Sequence, residues 1–411
     1  MEDRLPLMST QRPTPRHAIT PEPLPAGPGP AEDGRAEDPP TGPDPVGSVP
    51  LGQASHRGPL REGDRVQVRD PKGRLHTIVL VAGGRFQTNR GTLAHDDLIG
   101  LPDGQVVRTP EGREFQVLRP LLSDYVMSMP RGAAVVYPKD AGTIVQMGDI
   151  FPGATVVEAG VGSGALSLSL LDAVGEGGHL LSVERRGDFA DIAAANVDLW
   201  FGRRHPAWEL RVGDVADALD DQRPGSVDRV VLDMLAPWEN IGPVARALAP
   251  GGVLTCYIAT VTQMSRLVED LRSSGHFTEP TAWETLQREW HLEGLAVRPE
   301  HRMVAHTGFL LTARRLAPGV APQGVDRRPA KASDGLAGMW DEESSWSDEA
   351  VGTRTSSDKK VRRVRRDVRA RAAHWVGEDT TPVTGAAPGT GRPEEGRVPD
   401  TDEGATDGDG V

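Results

Sequence analysis

The chain has 411 residues, a formal net charge of −13 and one cysteine, Cys256. A single cysteine cannot form an internal disulfide, and no apolar run is long enough for a signal peptide or a membrane span. These features exclude disulfide scaffolds and membrane proteins, so we expect a cytoplasmic protein with no membrane partner.

The two ends of the chain differ in composition from its middle. Residues 1–59 are rich in Pro, Gly, Ala and acids, and residues 318–411 are rich in Gly, Asp, Glu, Thr and Arg. Neither end has enough apolar surface to offset the entropy of ordering, which predicts two disordered tails. The second tail contains a basic run at 359–371, with eight cationic side chains in thirteen positions. That run is either a phosphate-binding arm or a solvated, non-specific charge run.

Residues 60–122 alternate apolar and polar side chains in short bursts separated by Pro and Gly turns. This pattern predicts a small antiparallel β domain, with strands that include Arg65–Arg69, His76–Leu80 and Glu114–Leu118. Residues 60–140 carry twelve basic and ten acidic side chains, whereas residues 141–317 carry fifteen and twenty-three. The β domain is therefore mildly positive and the following region negative.

In residues 123–317 strands alternate with helices, which predicts an α/β fold with a parallel sheet covered on both faces. The predicted strands are 155–158, 180–184, 210–213, 229–233 and 253–259, and the predicted helices lie near 165–174, 188–200, 240–249 and 261–273. Late strands at about 289–297 and 308–314 are expected to close the sheet as antiparallel edge strands. The fold class is thus a Rossmann-like sheet with a small N-terminal antiparallel β domain.

A glycine-rich turn joins the first of these strands to a helix. Gly160, Gly162 and Gly164 let a ligand approach the backbone, and the helix that follows presents free N–H groups. Glu184 ends the next strand, where such folds place a carboxylate for both hydroxyls of a ribose. A dinucleotide site or a plain tight turn is the alternative. The third glycine comes one residue early for a dinucleotide and Glu158 precedes the turn, a pattern that resembles motif I of class I S-adenosylmethionine methyltransferases.

Acids at two further strand ends are candidate binding residues. Asp214 is suited either to the exocyclic amine of a cofactor adenine or to the N-cap of the helix 215–219, and the two roles are compatible. Asp233 is followed by Pro237 and Trp238, which suits a pocket for a planar base; the alternative is a helix-capping aspartate with Trp238 packed on the sheet. Ahead of the first strand, Tyr137 is suited to stack on a base or to pack in the core.

Five motifs in order carry a family resemblance: Tyr137–Asp140, Glu158–Gly164, Asp233–Trp238, Tyr257–Gln263 and His306–Leu310. Together they resemble the bacterial and archaeal tRNA (adenine-58-N1)-methyltransferases, in an actinobacterial style that includes Ala282–Gln287, over roughly residues 60–317. The resemblance implies a homotetramer that uses S-adenosylmethionine to methylate N1 of an adenine in the tRNA T-loop.

The same resemblance, together with the acids found at the ends of the predicted strands, implies a set of candidate site residues. The candidate catalytic residues, which bind and stack on the target base, are Asp233, Tyr137 and Tyr257. The candidate cofactor-binding residues are Glu158, Gly160, Gly162, Ser163, Gly164, Ala165, Leu166, Glu184, Asp214 and Asp233. The histidines show no metal-binding spacing, so no metal is expected.

Three alternatives compete with this interpretation. An isoaspartyl-type protein methyltransferase or a small-molecule methyltransferase shares the cofactor fold but needs neither the base pocket nor the β domain. A non-catalytic RNA-binding subunit would not need an intact glycine turn, Glu184 or Asp233. For docking of tRNA we favour the β domain, through Arg65, Arg69, Lys72 and Arg74, because a disordered basic arm cannot set a register.

Overall fold

The computed structural model describes residues 56–88, 91–324 and 358–372. Six short strands come first: β1 Arg65–Arg69, β2 Leu75–Val79, β3 Arg85–Thr88, β4 Gly91–Ala94, β5 Gln105–Arg108 and β6 Glu114–Leu118. Four of them form an antiparallel sheet in the order β2-β1-β6-β5, and β3 pairs with β4 in a separate hairpin. This confirms the predicted N-terminal antiparallel sheet.

The small sheet buries alternate apolar side chains of its strands on one face. Val66 and Val68 of β1 and Phe115 and Val117 of β6 are at most 1% exposed and pack together with Leu80. The period of two in the sequence put these residues on one face of the pleat. The division of the chain into domains near residue 122 stays a prediction.

Helices α1 Leu122–Ser128 and α2 Pro138–Met147 lead into the α/β part of the chain. Its further elements are β7 Thr155–Ala159, α3 Ala165–Val174, β8 His179–Glu184, α4 Gly187–Phe201, β9 Trp208–Val212, α5 Val215–Asp220, β10 Val227–Asp233, α6 Ile241–Ala247, β11 Leu248–Ile258, α7 Val261–Ser274, β12 Thr281–Trp283, β13 Trp290–Glu293, β14 Ala296–Pro299 and β15 Phe309–Arg314.

Seven of these strands form one sheet in the order β12-β15-β11-β10-β7-β8-β9. The five strands from β11 to β9 run parallel, and β15 and β12 add antiparallel edge pairings. One apolar cluster lies on each face of the sheet, under the helices. This is the Rossmann-like arrangement that the alternation of strands and helices predicted.

The prediction for residues 289–297 was wrong in one respect. This segment is not one edge strand of the large sheet; it forms a two-stranded hairpin, β13 with β14, apart from that sheet. Gly294 takes a φ of 53° between the two strands, and this left-handed conformation allows the chain to reverse there. The edge position is instead taken by the short strand β12, which the sequence pattern did not reveal.

The predicted disordered tails lie for the most part outside the described residues. Residues 358–372 of the second tail are described, however, and they form a helix, α8 Asp358–Ala372, which packs on α4. The basic run is therefore an ordered helix and not a disordered arm. No helix in the described ranges has both the length and the apolar character needed to span a membrane.

Candidate active site

The centre of the large sheet contains the point where its strand order reverses. From β7 the chain passes to β8 and β9 on one side, while β10 lies on the other side of β7. Crossover connections leave a crevice at the carboxyl ends of such neighbouring strands, and ligands bind there. The turn Gly160–Gly164 follows β7, and Asp233 ends β10, so both lie at this crevice.

The three glycines of the turn are required for different steric reasons. All three have positive φ, at 87° for Gly160, 56° for Gly162 and 82° for Gly164. A Cβ at Gly160 would lie 1.7 Å from the carbonyl oxygen of Asp233, and one at Gly164 would lie 3.2 Å from Cα of Ala193. Among the described residues, a Cβ at Gly162 would come within 4 Å only of the Gly160 carbonyl oxygen, at 4.0 Å. Two glycines thus allow close packing, whereas Gly162 leaves open space beside the turn.

Glu184 closes the other side of this space. Its Oε2 accepts a hydrogen bond from the Gly162 N–H at 3.0 Å, and its Oε1 accepts one from the Arg186 N–H at 3.0 Å. The side chain is only partly buried, and each carboxylate oxygen has a second lone pair for a ligand. A ribose acceptor is therefore available where the sequence predicted it.

Glu158 lies deeper than the sequence indicated. It is 1% exposed, and its Oε2 accepts hydrogen bonds from Ser167 at 2.7 Å and Ser182 at 2.6 Å. Burial, more than the nearby Glu184 carboxylate, raises the pKa of Glu158 to about 7. Its Oε1 is buried without a hydrogen-bond partner in the described part of the chain. Glu158 therefore supports the turn from within the core and has one acceptor left.

The turn and the start of the next helix contain three candidate residues whose side chains face the core. Ser163, Ala165 and Leu166 are at most 4% exposed, and the Ser163 Oγ accepts a hydrogen bond from the Gly132 N–H at 3.3 Å. Because α3 begins at Ala165, its first amides have no acceptor within the helix. Any contribution of these residues to binding an anionic group comes from their backbone N–H groups.

Asp214 caps a helix. One carboxylate oxygen accepts a hydrogen bond from the Ala216 N–H at 2.8 Å at the start of α5, and the other pairs with Arg185. The Ala216 amide, with Arg185 as a further cause, lowers the pKa of Asp214 below its ordinary value. The capping role is thus present, and a contact of Asp214 with a cofactor adenine stays a prediction.

Asp233 has a different environment from Asp214. Burial, followed by the carboxylates of Glu158 and Glu184, raises its pKa to about 7. Its side chain is partly accessible and forms no hydrogen bond or ion pair with another residue among those the structure describes. A carboxylate at a crevice without a protein partner is available to a ligand.

Trp238 does not need a ligand to explain its position. It lies in the 3₁₀ turn Pro237–Asn240 and packs against the apolar cluster under the sheet, with the Arg266 guanidinium 5.0 Å from its ring centre. The sheet-packing alternative for Trp238 is therefore the one observed.

Tyr257 lies near Asp233, and Tyr137 lies near Tyr257. Burial raises the pKa of Tyr257 well above its ordinary value, with smaller contributions from Asp140, Asp233 and Tyr137. A Cβ at Gly308 would lie 2.4 Å from Cζ of Tyr257, so the ring packs directly on the backbone there. Ionisable and aromatic side chains from three segments that are far apart in the sequence thus lie close together beside the end of β10.

A buried ion pair holds these segments together. Lys139 and Asp140 form a salt bridge of 2.7 Å with side chains 6% and 0% exposed. The Lys139 Nζ also donates to Thr307 Oγ1 at 2.6 Å and to Thr285 Oγ1 at 3.3 Å, while both hydroxyls donate to the Asp140 carboxylate. The pair therefore joins the start of α2 to the loops around residues 285 and 307.

An open cavity of about 470 Å³ lies beside this network. It is bordered by Tyr137 and Lys139 on one side and by Gln287, Arg302 and Met303 on the other. A bulky substrate therefore has room to approach Tyr137 from outside.

Comparison with known proteins identifies the family to which this chain belongs. The profile described as TrmI-like N-terminal matches residues 58–107, and that described as tRNA methyltransferase complex GCD14 subunit matches residues 115–307. The tRNA (adenine(58)-N(1))-methyltransferase TrmI of Thermus thermophilus is 35% identical over 248 residues, which cover 60% of this chain and 95% of that protein. The chain belongs to the tRNA (adenine-58-N1)-methyltransferase family.

Solved structures agree with the family fold. The crystal structure of tRNA (m1A58) methyltransferase TrmI from Aquifex aeolicus matches with a TM-score of 0.56 at 26% identity, covering 63% of this chain and all of that one. A SAM-dependent O-methyltransferase from Thermotoga maritima matches with a TM-score of 0.59 at 28% identity, covering 68% of this chain and 98% of that one. Helix α8 lies outside both matched profile ranges.

Within this methyltransferase family member, the structure brings most of the predicted site residues to one crevice. What sequence reasoning missed is the linkage of Lys139 and Asp140 to Thr285 and Thr307, because these residues are up to 168 positions apart. Gln263 was also missed: it is 1% exposed, and its Nε2 donates to the Leu235 carbonyl at 3.0 Å, which holds the loop after Asp233. The described residues contain no group of three or more His, Cys, Asp or Glu side chains suited to a metal ion.

We expect Asp140→Ala to lower the free energy of unfolding by about 3–5 kcal/mol, because it leaves the buried Lys139 cation without its carboxylate. Denaturant unfolding followed by circular dichroism measures the change. The double variant Lys139→Met with Asp140→Ala is the control, since it removes both charges and should recover part of the loss. An unchanged unfolding midpoint for Asp140→Ala would contradict a stabilising role of the pair.

Proposed function

We propose that this protein transfers a methyl group from S-adenosylmethionine to N1 of adenine 58 in the T-loop of tRNA. The observation that carries the proposal is Asp233: a carboxylate without a partner among the described residues, at the crevice beside the glycine turn, with Tyr257 nearby and Tyr137 beside Tyr257. Family membership supports the reaction and the substrate.

The residues at the turn fit S-adenosylmethionine. Gly162 leaves open space and Glu184 borders it with free lone pairs. The buried Glu158, whose Oε1 has no hydrogen-bond partner among the described residues, lies just before the turn in the chain. Glu184 would hold the ribose hydroxyls, and the first amides of α3 would face the carboxylate of the methionine part. When bound, the cofactor supplies an electrophilic methyl group.

The chain's own residues would act on the target base. N1 of adenine already carries a lone pair in the ring plane, so no strong base is needed and positioning supplies much of the acceleration. As N1 is methylated the ring becomes cationic and its N6–H groups become more acidic. The Asp233 carboxylate would bind these N–H groups more tightly then than in the neutral base, which lowers the barrier.

The target adenine must leave its stack in the folded T-loop to reach Asp233. Tyr137 and Tyr257 would supply aromatic surfaces for the extruded base. The network around Lys139 and Asp140 holds both tyrosines, because Tyr137 directly precedes α2 and the Tyr257 ring packs on Gly308, the residue after Thr307. Lys139 and Asp140 are thus positioning residues, and the two rings are the contact surfaces.

We further propose that the enzyme is a homotetramer that works in the cytoplasm, where tRNA is its partner. The hairpin of β13 and β14 supports self-association, since Trp290, Leu292, Leu295 and Val297 are all exposed there. Exposed apolar patches of this kind mark interaction surfaces. Analytical ultracentrifugation would measure the assembly.

The decisive experiment is mass spectrometry of nucleosides from unmodified tRNA that has been incubated with the protein and labelled S-adenosylmethionine. We expect label in 1-methyladenosine at position 58. Label on a small molecule or on a protein carboxyl group, with none in tRNA, would instead favour one of the other methyltransferase classes.

Glu184→Ala should weaken S-adenosylmethionine binding by about 1.5–3 kcal/mol, the range for a hydrogen bond to a charged group. Isothermal titration calorimetry without RNA measures this affinity. Glu184→Gln is the matched variant: it keeps the shape and one acceptor, so its loss should be smaller. Wild-type affinity in the alanine variant would rule out Glu184 as the ribose acceptor.

The pH dependence of kcat/KM should reflect Asp233. Only its carboxylate form stabilises the methylated base, and its pKa is raised to about 7, so kcat/KM should fall about tenfold per unit below that pH and level off above it. Replacing Glu158 with glutamine removes a neighbouring negative charge and should move the midpoint to lower pH. A flat profile from about pH 6 to about pH 8 would contradict this role.

A further inference from the structure

Helix α8 packs on the catalytic unit through a stripe of valines. Val361 and Val368 are at most 1% exposed and contact a cluster that contains Phe189 and Ile192 of α4, with Val364 at its edge. The spacing of three and four residues places the valines on one face of α8. The helix therefore has a buried face and a fixed orientation about its axis.

Two ion pairs reinforce this orientation. Arg365 and Arg369 of α8 both pair with Asp191 of α4, the second at 2.8 Å. The Asp191 side chain is 20% exposed, so the pairs lie at the rim of the apolar contact. The basic side chains at positions 359, 360, 362, 363 and 366 are exposed and lie on the other side of the helix from the valine stripe.

The outward face of α8 is strongly cationic. Five basic side chains border one open depression: Lys359, Lys360, Arg362, Arg363 and Arg366. Lys359, Lys360 and Arg363 form no ion pair with a carboxylate in the described part of the chain. We call these five residues the α8 basic face.

The α8 basic face lies on the helix that packs against α4, and α4 begins next to the cofactor turn. Helix α4 starts at Gly187, three residues after Glu184, and Phe189 of α4 lies against Gly132, whose N–H donates to Ser163 in the turn. A ligand held on α8 is therefore held by a rigid element of the methyltransferase unit itself.

The β-domain surface that the sequence favoured for docking is weaker than expected. Arg65 is partly buried, with its guanidinium 4.8 Å from the Tyr125 ring centre, so it is not a surface cation. Arg74 pairs with Asp70 at 3.3 Å. Arg69 and Lys72 remain exposed. A disordered arm cannot hold bound RNA in a fixed register, but a packed helix such as α8 can.

We propose that the α8 basic face is a docking surface for the sugar-phosphate backbone of the tRNA substrate. The inference rests on the proposed function. A chain with a net charge of −13 repels a polyanion at long range, so productive binding requires a local cationic surface. Phosphate contacts from a rigid helix fix the orientation of the RNA without reading its sequence.

The test is a salt titration of tRNA binding by the full-length protein, measured by filter binding without methyl transfer. The variant is Lys360→Gln, Arg363→Gln and Arg366→Gln together, and the matched control is Arg69→Gln, Lys72→Gln and Arg74→Gln, which removes the same charge from the β domain. We expect the α8 variant to bind about tenfold more weakly or worse and to flatten the slope of log affinity against log salt by about 2–3 units. The control should change the slope less.

Several outcomes would overturn the proposal. An α8 variant with wild-type affinity and slope excludes docking there, and a slope change confined to the control assigns docking to the β domain. If the α8 variant keeps its tRNA binding but loses binding to phosphatidylserine vesicles, the face serves a membrane instead. Because wild-type methylation of tRNA is measured separately, these failures are distinguishable from a failure of the proposed function.

A second variant tests the packing. Val361→Ser with Val368→Ser keeps every charge but weakens the contact with α4. If the helix must be fixed to set the register, KM for tRNA should rise several-fold while S-adenosylmethionine affinity, measured without RNA, stays unchanged. A wild-type KM in this variant would contradict the rigid-docking part of the proposal.

Discussion

Asp233→Ala should lower kcat for tRNA methylation by about 10²–10³, the loss seen when one preorganised electrostatic group is removed from an active site. The carboxylate has no partner in the described part of the chain and lies beside Glu158 and Glu184, so burial and like charges raise its pKa to about 7. Such a group is costly to keep and is therefore best explained by a ligand that carries N–H donors. Single-turnover kinetics with labelled cofactor measure the rate.

Cofactor affinity separates this role from a general loss of structure. Asp233→Ala should bind S-adenosylmethionine nearly as well as the wild type, because its carboxylate would face the substrate base. Glu184→Ala provides the crossed comparison, since it should lose cofactor affinity first. Equal loss of affinity and turnover in Asp233→Ala would show that this residue belongs to the cofactor site alone.

Gly160→Ala should damage both the fold and the site. Gly160 has a φ of 87°, and its new Cβ would lie 1.7 Å from the Asp233 carbonyl oxygen. The positive φ disfavours any side chain, and the end of β10 must move to relieve the contact. We expect the free energy of unfolding to fall by about 2–5 kcal/mol from the combined backbone strain and overpacking. Thermal and denaturant unfolding measure the stability, and calorimetry measures cofactor binding.

Gly162→Ala is the matched control for this prediction. Its φ is also positive, at 56°, but its Cβ would enter open space. Only the backbone strain of about 1–2 kcal/mol therefore applies. The protein should fold, and cofactor affinity should fall because the methyl group occupies the space beside Glu184. Equal stability of the two variants would mean that the contact between Gly160 and Asp233 is not a constraint on the fold.

Local patterns in the sequence were sufficient for the elements that form the crevice. The apolar run before Gly160, the three glycines and the acid at Glu184 are features of neighbouring residues, and strand, turn and helix follow from periodicity and backbone freedom. Asp214 and Asp233 were likewise recognisable as strand-end acids. These predictions depend on interactions within about thirty residues of chain, the length of one strand, helix and strand unit.

Some features required the tertiary structure because they depend on residues far apart in the chain. The network that joins Lys139 and Asp140 to Thr285 and Thr307 forms only when the start of α2 meets the loops beside β15. The accessibility of Asp233, in contrast to the capped Asp214, depends on which neighbours supply N–H groups at each strand end. Neither periodicity nor composition contains this information.

The basic run shows the boundary between the two kinds of information. Its charge was evident from composition, and Val361, Val364 and Val368 already had the spacing of a helical stripe. Yet an isolated helix of this length is marginal in water, so we predicted a disordered arm, and the sequence alone did not reveal the partner that orders it. Packing on Phe189 and Ile192 of α4 decided it, since burial of the valine stripe offsets the entropy of ordering the chain.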